Sequence, residues 1–163
     1  MDEENENLNS SLSRAEAEVI SYFCDAVRVI GLPKSIGEIY GLLYITQEPL
    51  SLDDLVERLE ISKGSASQGL KFLRNLNAIH REEVDRKAYY TPELQLKKLV
   101  AGFIKEEISP HLKSGQAKLR NIKSAMNKEE EKAAFYKKRY DKLERWTRQA
   151  KLVLPLIRQV LKS

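Results

Sequence analysis

Lys63, Gly64, Ser65, Ser67, Gln68 and Lys71 crowd into one short run. The polar side chains among them hydrogen-bond and neutralise charge; none is arranged to make or break a bond. Serine hydroxyls and a glutamine amide donate and accept, and lysines bring ammonium donors. They lie in ISKGSASQGLKFLRNLNAI, Ile61–Ile79, whose apolar spacing is that of a helix. Glycine weakens a helix by about 1 kcal/mol relative to alanine, yet Gly64 and Gly69 are both here. Small residues kept at that cost predict a surface that something must approach closely. On a helical wheel Ala66, Leu70 and Leu73 share the core face, with Gly69 beside them. Lys63, Gly64, Ser65, Ser67, Gln68, Lys71 and Asn75 cover the sides and the far face, with no acid among them.

A DNA major groove, about 12 Å wide, just admits a helix, and bulky leading side chains would hold it away from the base edges. Ser65, Ser67, Gln68 and Lys71 are therefore the candidate base contacts, with Lys63 nearer the backbone. The preceding SLDDLVERLE supplies a short helix: Ser51 and Asp54 form a capping-box pattern, and Leu52, Leu55, Val56 and Leu59 its apolar face. It stops near Glu60, and Ser62 is placed to cap the next helix. Two helices joined by a tight turn are the helix-turn-helix order. Asn77 predicts a left-handed stop, after which AIHREEV and KAYYT read as paired strands around an Asp85-Arg86 turn of undetermined type. This hairpin would be a wing whose tip carries Arg86 and Lys87, with Arg86 able to enter an adjacent minor groove. From Ser62 to Thr91, Lys63, Lys71, Arg74, Arg81, Arg86 and Lys87 oppose Glu82, Glu83 and Asp85, so only the wing tip is expected to touch DNA.

Flanking segments must position this head. Leu12 to Ile30 has amphipathic helical spacing; Gly31-Leu32-Pro33 interrupts it, and Pro33 opens a second helix through Ile36, Ile39, Tyr40 and Leu43. Gly37 and Gly41, one turn apart, are expected to permit tight helix packing. Pro92 to Pro110 reads as a further helix, with Leu94, Leu96, Leu99, Val100, Phe103 and Ile104 as core candidates. Leu119, Ile122, Met126, Ala133, Tyr136, Tyr140, Leu143, Ala150, Leu154 and Ile157 then approach a heptad seam, broken at Glu129 and Thr147, with a kink or restart expected at Pro155. Such a stripe needs a partner.

The run GLPKSIGEIYGLLYITQEPLSLDDLVERLEISKGSASQGLKFLRNLNAI resembles the MarR superfamily, in particular its GbsR branch. The resemblance rests on Gly31-x-Pro33, Gly37-x-Ile39-Tyr40-Gly41, the EPLSLDDL turn and Ser62-Lys63-x-Ser65-x-Ser67. It extends through the wing to about Pro92 and more loosely beyond. It implies a winged-helix repressor of transcription that binds a near-palindromic operator as a homodimer held by N- and C-terminal helices. Glu38 stands where this branch often has Arg, so no phosphate contact is carried over to that position.

The resemblance also raises two effector questions. Related regulators of glycine betaine genes respond to quaternary ammonium compounds, and Phe135, Tyr136, Tyr140 and Trp146 could form an aromatic cage for such a cation; dimer packing explains the same residues. Some relatives sense peroxide through a cysteine near the position of Cys24, but the neighbouring Asp25 disfavours a thiolate, and a buried inert thiol is the reading preferred here.

The chain has 163 residues, 42% of them hydrophobic, a formal charge of +4 and a pI near 9.1. That suits a folded protein and permits a polyanionic partner. One cysteine excludes an intrachain disulfide, His80 and His111 lack co-ligands or a nucleophile, and no metal site, cofactor or catalytic group is expected. Without a secretion signal or an apolar run able to span a bilayer, a cytoplasmic protein with no membrane partner is expected. The expected architecture is mostly α with a small β-hairpin wing: an acidic flexible tail (1–10), an N-terminal dimerisation helix (11–32), a winged helix-turn-helix (33–92) and a C-terminal helical dimerisation region (93–163). The competing reading is a winged-helix and coiled-coil interaction module that binds proteins and no DNA.

Overall fold

The core is centred on one short helix, with Leu55 and Ala66 of its neighbours equally removed from water. A computed structural model describes residues 12–126 and 132–162; the acidic start (1–10) and Glu129 lie outside the described residues. In helix α2 (Lys34–Ile45), Ile39 and Leu42 are 0% exposed, and Ile36, Tyr40 and Leu43 are nearly so. Helix α1 (Arg14–Val29) opens with a Ser13–Glu16 capping box and packs along α2. The two backbones come very close. A Cβ on Gly37 would sit 2.7 Å from the Cys24 Cα, and one on Gly41 would sit 2.8 Å from the Ile20 Cα. Both glycines therefore serve helix packing, as the sequence suggests. Gly31, at φ +75°, closes α1 with its own N–H bonded to the Arg28 carbonyl and the Leu32 N–H bonded to the Val27 carbonyl, a Schellman stop.

Helix α3 (Leu52–Leu59) begins at a complete capping box: the Ser51 N–H donates to Asp54 Oδ2 at 2.7 Å and the Asp54 N–H to Ser51 Oγ at 3.3 Å. Helix α4 (Lys63–Asn75) follows, then strands β2 (Ile79–Val84) and β3 (Lys87–Pro92). A strand that periodicity could not reveal, β1 (Leu50–Ser51), joins them in the order β1-β3-β2, pairing Leu50 with Tyr90. Two residues are too few to show alternation. The sheet is tied to α2 by the Tyr40 hydroxyl, which donates to the Glu93 carbonyl at 2.5 Å. Another tie joins α1 to α3: Arg58 Nη2 meets Glu16 Oε1 at 2.6 Å, both side chains largely shielded from solvent.

The chain divides into two compact units, Met1–Leu99 and Val100–Ser163. Helix α5 (Leu96–Phe103) leads into a π turn (Ile104–Ile108) and helix α6 (Ser109–Met126). The expected stop at Pro110 is absent. Proline lacks an N–H for the fourth carbonyl behind it, and the wide turn just before it accommodates that loss, with the Ser109 N–H and Oγ both bonded to the Ile104 carbonyl. Ala101 and Ile104 are buried, whereas the expected core residues Leu94, Leu96 and Val100 are exposed. Helix α7 (Ala133–Lys162) is continuous across Pro155, so the helix does not restart there. It packs on α6, with Tyr136, Tyr140 and Leu143 opposite Ile122 and Met126. Part of the expected seam is thus met within the chain, by antiparallel pairing of α6 and α7, because Leu119 and Ile122 fall on a separate helix from Tyr136 and Tyr140.

Candidate nucleic-acid interface

Helix α4 is aimed by what precedes and underlies it. Glu60 adopts the left-handed conformation (φ 53°) at the end of α3, which turns the chain within two residues. The Ser62 side chain then caps α4, its Oγ accepting the Ser65 N–H at 3.1 Å and donating to Ser65 Oγ at 2.9 Å. Ala66, Leu70 and Leu73 are buried. Gly69 lies against the Ile39 side chain of α2, where a Cβ would collide with the Ile39 Cδ1. The other end is a Schellman stop at Asn77 (φ 55°), with the Ala78 N–H bonded to the Leu73 carbonyl.

These constraints leave one continuous arc in water: Lys63, Gly64, Ser67, Gln68, Lys71, Arg74 and Asn75 are all exposed. At 100° per residue they span about 140° of the helix. Ser65 is half-buried and committed to the cap, so it sits at the edge of the arc. Arg74 is a member that sequence reasoning misses. A signal for it exists, since it stands three residues after Lys71 and seven after Ser67. The arc holds three cations and no acid. Its nearest acid is Asp53 of α3, 3.2 Å from Lys63 Nζ, in a pair with both side chains mostly exposed. Exposed pairs of this kind are weak, so a phosphate could displace Asp53 readily.

The wing turn is a two-residue loop in which Asp85 (φ 50°) and Arg86 (φ 63°) are both left-handed. That is the type I′ hairpin turn, normally built with Asn-Gly. For an ordinary residue the left-handed well costs about 1–2 kcal/mol, and the turn holds Arg86 exposed at the tip. Lys87 Nζ lies 5.7 Å from the Tyr89 ring centre, so this lysine leans back along its strand. Arg81 is occupied by Glu83 at 3.0 Å.

The four aromatic residues fall on two sides of α7. Tyr136 and Tyr140 face α6 and line a cavity of about 340 Å³ with Ile122, Met126 and Arg139. Phe135 and Trp146 are 58% and 66% exposed, eleven positions apart, or about 16 Å of helix rise. Within one chain the four rings do not surround a common point. Arg139 already sits over Phe135, 5.3 Å from its centre. Cys24 is half-buried, with its Sγ donating to the Lys34 carbonyl at 3.8 Å. Burial first, and then the Glu38 carboxylate, push its thiol pKa up. Glu38 is itself bound to Lys34 at 2.5 Å. His80 and His111 are exposed. Among the described residues no group of three potential metal ligands converges, and no helix is long and apolar enough to cross a membrane.

No family model matches the chain. Over 72 residues, 44% of this chain and 39% of the relative, it is 32% identical to the HTH-type transcriptional repressor GbsR of Bacillus subtilis (strain 168). Over 84 residues it is 26% identical to the HTH-type transcriptional repressor OpcR of that organism, covering 50% of this chain and 45% of OpcR. A putative HTH-type transcriptional regulator, YvaV, from the same organism matches at 26% identity over 84 residues, 50% of this chain and 48% of YvaV. The matches thus span less than half the length of each curated relative. A crystal structure of a transcriptional regulator superposes with a TM-score of 0.59 over 88% of this chain and 98% of that one, at 18% identity, which shows a shared fold. Over about half of its length the chain is thus similar in sequence to HTH-type transcriptional repressors, and its fold is a winged helix shared with a transcriptional regulator.

Proposed function

We propose that this chain is a sequence-specific regulator of transcription, a repressor that binds double-stranded DNA as a homodimer on a near-palindromic operator. The observation that carries the reading is the exposed arc of α4: glycine, serine, amide and cationic groups with no acid, on a helix whose opposite face is locked into the core. Gln68 and Ser67 contact base edges, Lys71 a base or a phosphate, and Lys63 and Arg74 the backbone. Arg86 reaches the minor groove from the wing tip. Apolar residues left exposed on α1 (Tyr22, Val29) and α7 (Trp146, Val153, Ile157) suit burial against a second copy. Two heads would then enter successive major grooves about 34 Å apart. A change in the angle between subunits, imposed by an effector, would pull them out of register.

Lys71→Ala is the direct test. Each phosphate contact contributes about 0.9 to the slope of log affinity against log salt. With one lysine per subunit, removing its phosphate contact lowers the slope by about two and weakens operator binding. Unchanged affinity across a salt series removes Lys71 from the interface. No salt-sensitive binding to any duplex would instead support the interaction-module reading.

A further inference from the structure

The two units carry opposite charge. Residues 1–99 hold 12 Lys and Arg against 17 Asp and Glu, a net of −5, whereas residues 100–163 hold 16 against 7, a net of +9. Without residues 1–11 the first unit still has 12 cations against 13 acids. The half with the helix-turn-helix is therefore not the basic half. On α7 the basic charge is ordered. Lys138, Lys142 and Arg145, at i, i+4 and i+7, form one exposed stripe on the side away from Tyr136 and Tyr140, which face α6. Among the described residues none of the three has an acidic partner within ion-pair distance; the one ion pair on this helix is Arg148–Glu144, at 3.5 Å. Asp141 is the only acid on that flank. Like charges three and four residues apart weaken a helix, and a merely solvated face ordinarily mixes its signs.

We propose that this stripe is a second nucleic-acid contact, in which Lys138, Lys142 and Arg145 grip duplex phosphates without reading bases. The three cations lie along about 10 Å of helix, facing a polymer with one phosphate per ~3.4 Å of axis on each strand. Duplex DNA is favoured over an anionic membrane surface because the excess charge is not confined to α7. Lys113, Lys118 and Lys123 of α6 are exposed as well, so the excess positive charge is spread over both helices of the unit. The inference rests on the DNA-binding reading in one respect. A head of net negative charge that binds DNA needs its long-range attraction supplied from elsewhere in the chain, and the +9 unit supplies it.

The test uses the full chain carrying K138Q/K142Q/R145Q, with K138R/K142R keeping the charge. Affinity for a random duplex of about 30 base pairs and for a selected operator is measured by fluorescence anisotropy between about 50 and 200 mM salt. The proposal predicts weaker binding of the triple variant to both duplexes, with an unchanged ratio between them. The salt slope should fall by about 0.9 for each phosphate no longer neutralised, and the arginine variant should bind as wild type. The single substitutions K138Q and K142Q, each lowering the slope by about two because the homodimer loses one contact per subunit, give the same reading should the triple variant fail to fold. Unchanged slopes on both duplexes overturn the proposal. Loss of binding to phosphatidylserine vesicles with duplex binding intact also overturns it, and assigns the stripe to a membrane surface. Lys71→Ala reports separately: if α4 does not read DNA, that variant changes nothing while the α7 variants still act.

Discussion

Gly64→Ala separates the two reasons a glycine could stand in the first turn of α4. The position is exposed and has no left-handed φ, and a Cβ there would meet nothing closer than Ser62 Oγ at 3.9 Å. Folding alone therefore favours alanine. Helix propensity predicts a gain approaching about 1 kcal/mol, somewhat less for a residue in the first turn. For a chain of this length that is an increase in Tm of up to about 2–4 °C. If glycine is kept so that the backbone can approach base edges, the added methyl must hold the helix off. Losing a single direct base contact costs about 1–3 kcal/mol, roughly five- to 150-fold in operator affinity. The expected result is a more stable protein that binds its operator at least roughly five-fold more weakly, read by thermal unfolding and anisotropy on the same preparation. A variant that gains stability and keeps full affinity would refute the close-approach argument.

Gly37→Ala should have the opposite effect on stability. A Cβ would meet the Cys24 backbone at 2.7 Å, so α1 and α2 must part, at about 1–3 kcal/mol; a raised Tm would contradict that packing. For Asp54, burial raises the carboxyl pKa, but bonds from the Ser51 side chain and backbone outweigh it, and with Lys87 and Arg58 nearby they hold it below the ordinary value. A depressed folded pKa stabilises above the unfolded value, about 3.9, and that stability is lost as pH falls through the folded value. Asp54→Ala should therefore cost about 1 kcal/mol at neutral pH, with the gap to wild type narrowing below about pH 4; a constant gap in urea titrations at both pH values counts against the capping account. Burial and Glu38 keep the Cys24 thiol protonated, so peroxide should leave DNA affinity unchanged and Cys24→Ser should match wild type; a peroxide-dependent loss seen only with the cysteine would reverse this.

Local signals carry the helix-turn-helix. Gly31, Ser51 with Asp54, Ser62 and Asn77 each satisfy helix ends using neighbours within about one and a half turns, so their roles can be read without knowing the fold. Gly37 and Gly41 are legible because their spacing implies close packing whatever the partner, and the partner proves to be α1. Helical spacing already puts Gly69 beside the core face of α4 and Gly64 on its outer face, but the residue that Gly69 answers to, Ile39, comes from a different helix. Only tertiary contact names that partner. The same holds for β1, which exists through pairing with Tyr89 and Tyr90, and for the passage through Pro110, where a π turn substitutes for the break that a local rule demands. In α7 the spacing suggests a single periodic stripe, whereas the helix presents one side to α6 and leaves Trp146, Val153 and Ile157 on another. Periodicity locates an apolar face but does not say how many partners divide it.

Selection of duplexes from a random library by the full chain, followed by sequencing, tests the central claim most directly. The account predicts enrichment of two inverted half-sites with centres about 10 base pairs apart, or a whole multiple of one helical turn, and loss of that enrichment in Lys71→Ala. Enrichment of no sequence at any salt concentration, with the protein folded, would contradict it.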